Sequence, residues 1–220
     1  MKTLPGEIER ESLRIIREEL RTREMILSPE NEAVILRCIH ASADFDYAET
    51  LCFTSEAFSR GVAAIRSGVG IVTDTNMAKA GISKIGLQRC GGEVFCFMAE
   101  PFIAERARAE GSTRAAAAMD YAAGRYPTAI YAVGNAPTAL FALEEKIRNG
   151  LRPSLIIAVP VGFVNVAESK ERIYRLCREQ EIPAIAAMGR KGGSSIAAAI
   201  CNALIYTAAD MLDPAERGWN

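Results

Sequence analysis

The chain's only histidine, His40, stands in the segment "RCIHASADFDY", with Asp44, Asp46 and Tyr47 following it. Imidazole is the side chain best suited to giving up and regaining a proton near neutral pH, so His40 is the first candidate for a general acid. A second reading stays open. His40 falls in the last turn of the helix that "SPENEAVILRCIHAS" predicts from Ser28 as its cap, and a cation there stabilises the negative end of the helix. Asp44 and Asp46, two apart just beyond a predicted helix end, lie apart on a helix and read as turn residues rather than as a carboxylate pair for hydrolysis. In "IERESLRII" and onward, Ile8, Ser12, Ile15, Ile16 and Leu20 recur at helical spacing, which places the Ser12 hydroxyl on a predicted buried stripe. There it bonds either its own helix or something bound nearby.

Other candidates lie in glycine-bearing loops. "VTDTNMAKAG" offers Thr73, Asp74, Thr75 and Asn76 as caps of a following helix, and "AVGNAPTAL" places Gly134 and Asn135 in a tight turn before Pro137 opens a helix. "VPVGFVNVAESKE" contributes Gly162 and Asn165. "MGRKGGSSIAAAI" sets Arg190 and Lys191 between Gly189 and the pair Gly192 and Gly193, with Ser194 and Ser195 opening a helix. Each loop is expected to present unpaired backbone N–H groups at a helix N-terminus, where an anionic oxygen binds. Arg114, just after Ser112 and Thr113 at a predicted helix start, adds a side chain able to grip a carboxylate with two bonds. For Arg190 and Lys191 a merely solvated loop is the other reading.

The elements that must position these groups are visible in the hydrophobic pattern. The runs "GVGIVTD", "EVFCFM", "AIYAVG", "SLIIAVP" and "AIAAMG" have strand length. They alternate with predicted helices around residues 75–82, 101–124, 136–149, 166–181 and 193–212, after two helices near the start. This predicts an α/β fold: a single domain, 1–220, with a five-stranded parallel, doubly wound sheet flanked by helices. Ligands of such a sheet bind in the crevice outside the carboxyl ends of the strands, where the four loops fall.

Composition excludes several classes. With 26 Lys and Arg against 27 Asp and Glu the formal charge is −1, which leaves no bulk attraction for nucleic acid or an anionic membrane. The six cysteines form no C-x-x-C pair and read as reduced core residues, and one histidine with scattered cysteines matches no metal ligand set. The start is charged and amphipathic and no run of about 18 apolar residues occurs, which predicts a cytoplasmic protein. A nucleotide or S-adenosylmethionine enzyme would need a glycine fingerprint after the first strand, and "TDTNMAKAG" has none.

Taken in order, "IERESLRII", "RCIHASADFDY", "VTDTNMAKAGI", "GSTRAAAAMD", "YAVGNAPTAL", "VPVGFVNVAESKE" and "GRKGGSSIAAAICNAL" make a sequence that resembles the precorrin-8X methylmutase (cobalt-precorrin-8 methylmutase) family. The resemblance implies an isomerase of cobalamin biosynthesis that moves a methyl group from C11 to C12 of a corrin precursor, a [1,5]-sigmatropic shift needing no organic or redox cofactor. It implies that His40 protonates the macrocycle near ring C, that Ser12 and Arg114 lie near the substrate, and that the protein is a homodimer with sites near the interface. A flat apolar ring edged with carboxylates suits several helix N-termini and a few cations around one crevice. A carrier that binds a tetrapyrrole without chemistry is the reading of another class.

Overall fold

The computed structural model describes residues 4–217. Two helices, α1 (Pro5–Thr22) and α2 (Glu32–Ser42), precede a short helix α3 (Tyr47–Thr50) and strand β1 (Leu51–Phe53). Then come α4 (Ala57–Arg66), β2 (Ile71–Thr73), α5 (Asn76–Gly81), α6 (Lys84–Arg89), β3 (Val94–Phe95), α7 (Pro101–Ala109) and α8 (Arg114–Arg125). The chain continues through β4 (Ile130–Val133), α9 (Pro137–Arg148), β5 (Leu155–Ala158), α10 (Val166–Glu179), β6 (Ala184–Ala187) and α11 (Ser194–Ala208), and ends in a 3-10 turn at Pro214–Arg217.

The sheet order is β1-β6-β5-β4-β2-β3, with β2 to β6 parallel. Alternate residues of each strand serve opposite faces. Ile71, Ile130, Leu155, Ile157 and Ile185 pack under α2, α4, α5 and α11, whereas Val72, Tyr131, Val133, Ile156 and Ala186 pack under α8, α9 and α10. Helices on both faces bury both sides of the sheet, so its strands are apolar apart from Thr73 at the end of β2.

The expected α/β sheet is present with one strand more. β1 pairs antiparallel with β6, Leu51 opposite Ala187, and closes that edge. Its three residues follow directly on a helical turn, too short a run for a period to show. The predicted helix over 101–124 is two helices, because Gly111 takes a left-handed φ of 61° and Thr113 caps a new start by accepting from the Ala116 N–H. The last helix stops at Ala208. α2 begins at Glu32 with Asn31 at its cap rather than Ser28, whose carbonyl instead accepts the turn bonds from Asn31 and Glu32. α4 and α6 are additional helices.

The predicted stripe on α1 is also corrected. Gly6, Glu9, Ile16 and Leu20 face inward, with Leu13 packed beside them, while Ile8 and Ile15 are 53% and 49% exposed. α1 packs on α2, and the Glu9–Arg37 and Arg17–Glu32 ion pairs set the two helices antiparallel. The inward face therefore follows Glu9, Leu13, Ile16 and Leu20, and Ile8, half-buried Ser12 and Ile15 form a neighbouring strip that the described residues leave largely uncovered.

Candidate active site

The doubly wound order reverses between β2 and β4, and a crevice is expected at their carboxyl ends. Asp74 closes it. Its carboxylate accepts the N–H of Gly134 on one oxygen and those of Asn135 and Ala136 on the other, each at 2.8 Å. Burial pushes this carboxyl above the ordinary aspartate range, and the three N–H bonds pull against it. The donors expected to await a ligand at the start of α9 are thus already spent on an internal anion. Thr73 is fully buried, its hydroxyl donating to the carbonyls of Thr75 and Phe95, and Gly134 is buried where a side chain would meet the Ser194 backbone at 2.8 Å. Thr75 caps α5 by accepting from the Ala78 N–H and shares a 2.8 Å hydrogen bond with Ser194, while Asn76 and Asn135 are exposed at the rim. These contacts bring the loops after β2, β4 and β6 together.

The loop after β6, Gly189 to Gly193, is held from three sides. Gly193 donates to the Val159 carbonyl at 2.8 Å, and Gly162 donates to the Arg190 carbonyl at 3.2 Å, which joins this loop to the one after β5. A side chain at Gly192 would stand 2.2 Å from the Val159 carbonyl oxygen, so only glycine fits the approach. From beneath, Lys170 of α10 donates to the carbonyls of Gly189 at 2.9 Å and Lys191 at 2.7 Å. Lys170 is wholly buried, and burial lowers its ammonium to about 8. From above, the Lys191 ammonium binds Asp44 at 2.7 Å and also Asp46. That bond holds the Asp44 carboxyl below its usual range, and the two aspartates raise Lys191.

The Lys191 contacts carry the His40 segment to this rim. His40 lies in the last turn of α2, as its spacing predicts, with its side chain exposed, and α2 ends where Ala43 turns left-handed at φ 55°. Asp44 and Asp46 follow directly in that turn and reach Lys191 together. Arg190 is exposed with its guanidinium 5.4 Å from the centre of the Phe163 ring. Arg114 opens α8, exposed, and makes no ion pair among the described residues. The Ser12 hydroxyl donates to the Ile8 carbonyl of its own helix at 2.8 Å.

Sequence reasoning passed over Lys170 and the partnership of Asp44, Asp46 and Lys191. The first had a signal: Val166, Lys170, Ile173 and Cys177 share a helical stripe, so an apolar face carried one lysine. The second had none, since 145 positions separate Asp46 from Lys191. Cavities of about 240 to 560 Å³ open elsewhere on the surface and are lined by neither His40, Arg114 nor the loop from Gly189 to Gly193. Around the rim the single chain instead exposes apolar side chains, Phe163 at 82% and Val164 at 78%. Among the described residues no group of three or more His, Cys, Asp or Glu is placed to hold a metal ion, and no helix is long and apolar enough to cross a membrane.

Comparison with known proteins gives a consistent result. The sequence profile of the precorrin-8X methylmutase family matches residues 7–207. The cobalt-precorrin-8 methylmutase of Salmonella typhimurium is 43% identical over 216 residues, covering 92% of this chain and 95% of that protein. The precorrin-8X methylmutase of Pseudomonas aeruginosa is 36% identical over 183 residues, covering 79% and 82%. Among solved structures, the precorrin-8x methyl mutase of Thermus thermophilus superposes with a TM-score of 0.82 at 41% identity, over 92% of this chain and 98% of that one.

Proposed function

This chain belongs to the precorrin-8X methylmutase family, and from that premise we propose that His40 supplies the one proton its reaction needs while the rim loops hold the substrate. The enzyme is an isomerase of cobalamin biosynthesis, acting on a corrinoid. The observation that carries the assignment of His40 is the attachment of its segment, through Asp44, Asp46 and Lys191, to the glycine loop after β6.

In the proposed reaction the His40 imidazolium gives its proton to the macrocycle near ring C and the methyl group migrates from C11 to C12. The proton then returns to the imidazole, so nothing is oxidised or consumed. Protonation drains electron density from the ring and lowers the barrier to migration, and holding the ring in a fixed geometry supplies the rest. The acetate and propionate groups of the rim would meet Arg190, Arg114 and the N–H groups of Arg190 and Gly192, in the loop that Gly189 opens and that Gly193 and Gly162 hold in place through their own N–H bonds. Thr75, Asn76 and Asn135 border the same rim, and Thr73 and Gly134 support it from within. Lys191 can exchange its aspartates for a substrate carboxylate. Ser12 lies on the uncovered strip of α1 near that face.

Two further features belong to this reading. The chain works as a homodimer of one methylmutase domain per subunit, with the site near the interface; the exposed Phe163, Val164, Ile8 and Ile15 support it, because such side chains call for a cover. The protein is cytoplasmic, a compartment that suits six free cysteines. Among the curated relatives the cobalt name goes with identities of 43% and 38% against 36% for the Pseudomonas aeruginosa protein, which favours the cobalt-containing ring.

The test is anaerobic incubation with precorrin-8x and with cobalt-precorrin-8, followed by the visible spectrum of the hydrogenobyrinate or cobyrinate formed. Wild type is expected to convert substrate, and His40→Ala to lose roughly 100-fold or more in turnover while still binding product, the scale of a lost general acid. Normal turnover by that variant removes His40 from the mechanism. Substrate bound by wild type but left unchanged would mean a carrier.

A further inference from the structure

We propose that Lys170 is a positioning residue for substrate binding: from inside the protein it draws the carbonyls of Gly189 and Lys191 inward, so that the N–H groups of the same loop face the substrate's rim carboxylates. The inference rests on the reading above for its ligand, and on geometry for the rest.

In a trans peptide the C=O and N–H point in opposite directions. The Gly189 carbonyl belongs to the same peptide as the Arg190 N–H, and the Lys191 carbonyl to the same peptide as the Gly192 N–H. Lys170 holds both carbonyls from beneath, at 2.9 and 2.7 Å, which turns those two N–H groups away from the core. Neither N–H donates to any acceptor among the described residues, and the intervening Arg190 carbonyl is occupied by the Gly162 N–H. Alternate amides thus point out of the loop, and successive outward amides make a concavity for an anionic oxygen.

The choice of residue supports a positioning role rather than simple stability. Lys170 has no carboxylate partner among the described residues, so its charge is directed at the two loop carbonyls alone. A buried cation without a counter-ion is costly, and an apolar side chain would continue the stripe made by Val166, Ile173 and Cys177. The lysine occupies that place with its donors aimed at one loop, the loop that carries Arg190 and Lys191.

The test compares Lys170→Met with Ile173→Ala, a buried change on the same helix that leaves the loop untouched. Hydrogen exchange of the amides 189–195 is measured in the ligand-free protein, and KM and kcat are measured with cobalt-precorrin-8. Lys170→Met is expected to raise exchange in the loop and KM by about 10-fold or more while kcat stays within about 3-fold, the pattern of lost binding rather than lost chemistry. Ile173→Ala is expected to lower thermal stability and leave both readings within about 2-fold of wild type. Unchanged loop exchange in Lys170→Met overturns the proposal, and so does an equal rise in KM from Ile173→Ala. If Lys170→Met does not fold, Lys170→Gln, whose side chain is too short to hold both carbonyls, is expected to raise loop exchange and KM in the same direction, and unchanged loop exchange in it overturns the proposal as well. A wild type that fails to convert substrate defeats the functional reading alone, since loop exchange still decides whether Lys170 holds the loop.

Discussion

Lys170 and Lys191 sit on two sides of one loop, and their ammonium groups are shifted in opposite directions. Burial lowers Lys170 to about 8, and the paired aspartates raise Lys191. Lys170 has a consequence for stability. An unfolded lysine titrates near ~10.4, so between about 8 and ~10.4 the unfolded chain binds more protons than the folded one. The Lys170 contribution is therefore absent below that window and grows as pH rises through it, to about 3 kcal/mol at most. The measurement is the difference in urea stability between wild type and Lys170→Met from pH 7 to 10, which is expected to shift in favour of wild type; a difference that does not change with pH would show that Lys170 is not the charge described. At this scale the sequence was readable in part. His40 stood out as the only imidazole and Arg190 and Lys191 by their glycines, whereas Ser12 proved to bond its own helix, a possibility its spacing had left open.

Among the elements, Asp74 joins the end of β2 to the start of α9. Its replacement by alanine strands three N–H groups, only one of them on a fully buried residue. A loss of about 3 kcal/mol is expected for Asp74→Ala, because an unmet buried donor costs about 1–3 kcal/mol and the exposed ones turn to water. Urea denaturation measures it, and a loss below about 1 kcal/mol would mean that water replaces the carboxylate at little cost. The sequence marked Asp74 as a possible cap for the helix that follows it, yet it caps the turn before another helix, some 60 residues on. Capping of that kind depends on which strands are neighbours. The parallel strands were legible because each is an apolar run bounded by turn residues. β1 was not, since its strand character comes from the free edge of β6 rather than from its own three residues.

The molecule as a whole leaves an apolar rim exposed. Phe163 stands 82% exposed beside Arg190, and Ile8 and Ile15 line the outer strip of α1. A homodimer closed over these groups predicts that Phe163→Glu shifts the protein toward monomer and lowers kcat/KM by about 10-fold or more, since a charge placed in an apolar interface must be desolvated. Sedimentation velocity alongside turnover gives the answer. A variant that remains dimeric and fully active would place the interface elsewhere.

The local properties of the chain were determined by the sequence itself: its helices and parallel strands, its lack of bulk charge, its single imidazole in a last helical turn, and the glycines that a close loop approach demands. These follow from spacing and residue type, which act over a few neighbours. Only the tertiary structure decided which donors remain free. Asp74 fills the crevice at the switch point and Lys170 turns the last loop outward. Both outcomes depend on side chains meeting backbone groups from other elements, and the packing of β2 beside β4 and of α10 beneath the loop after β6 creates those meetings.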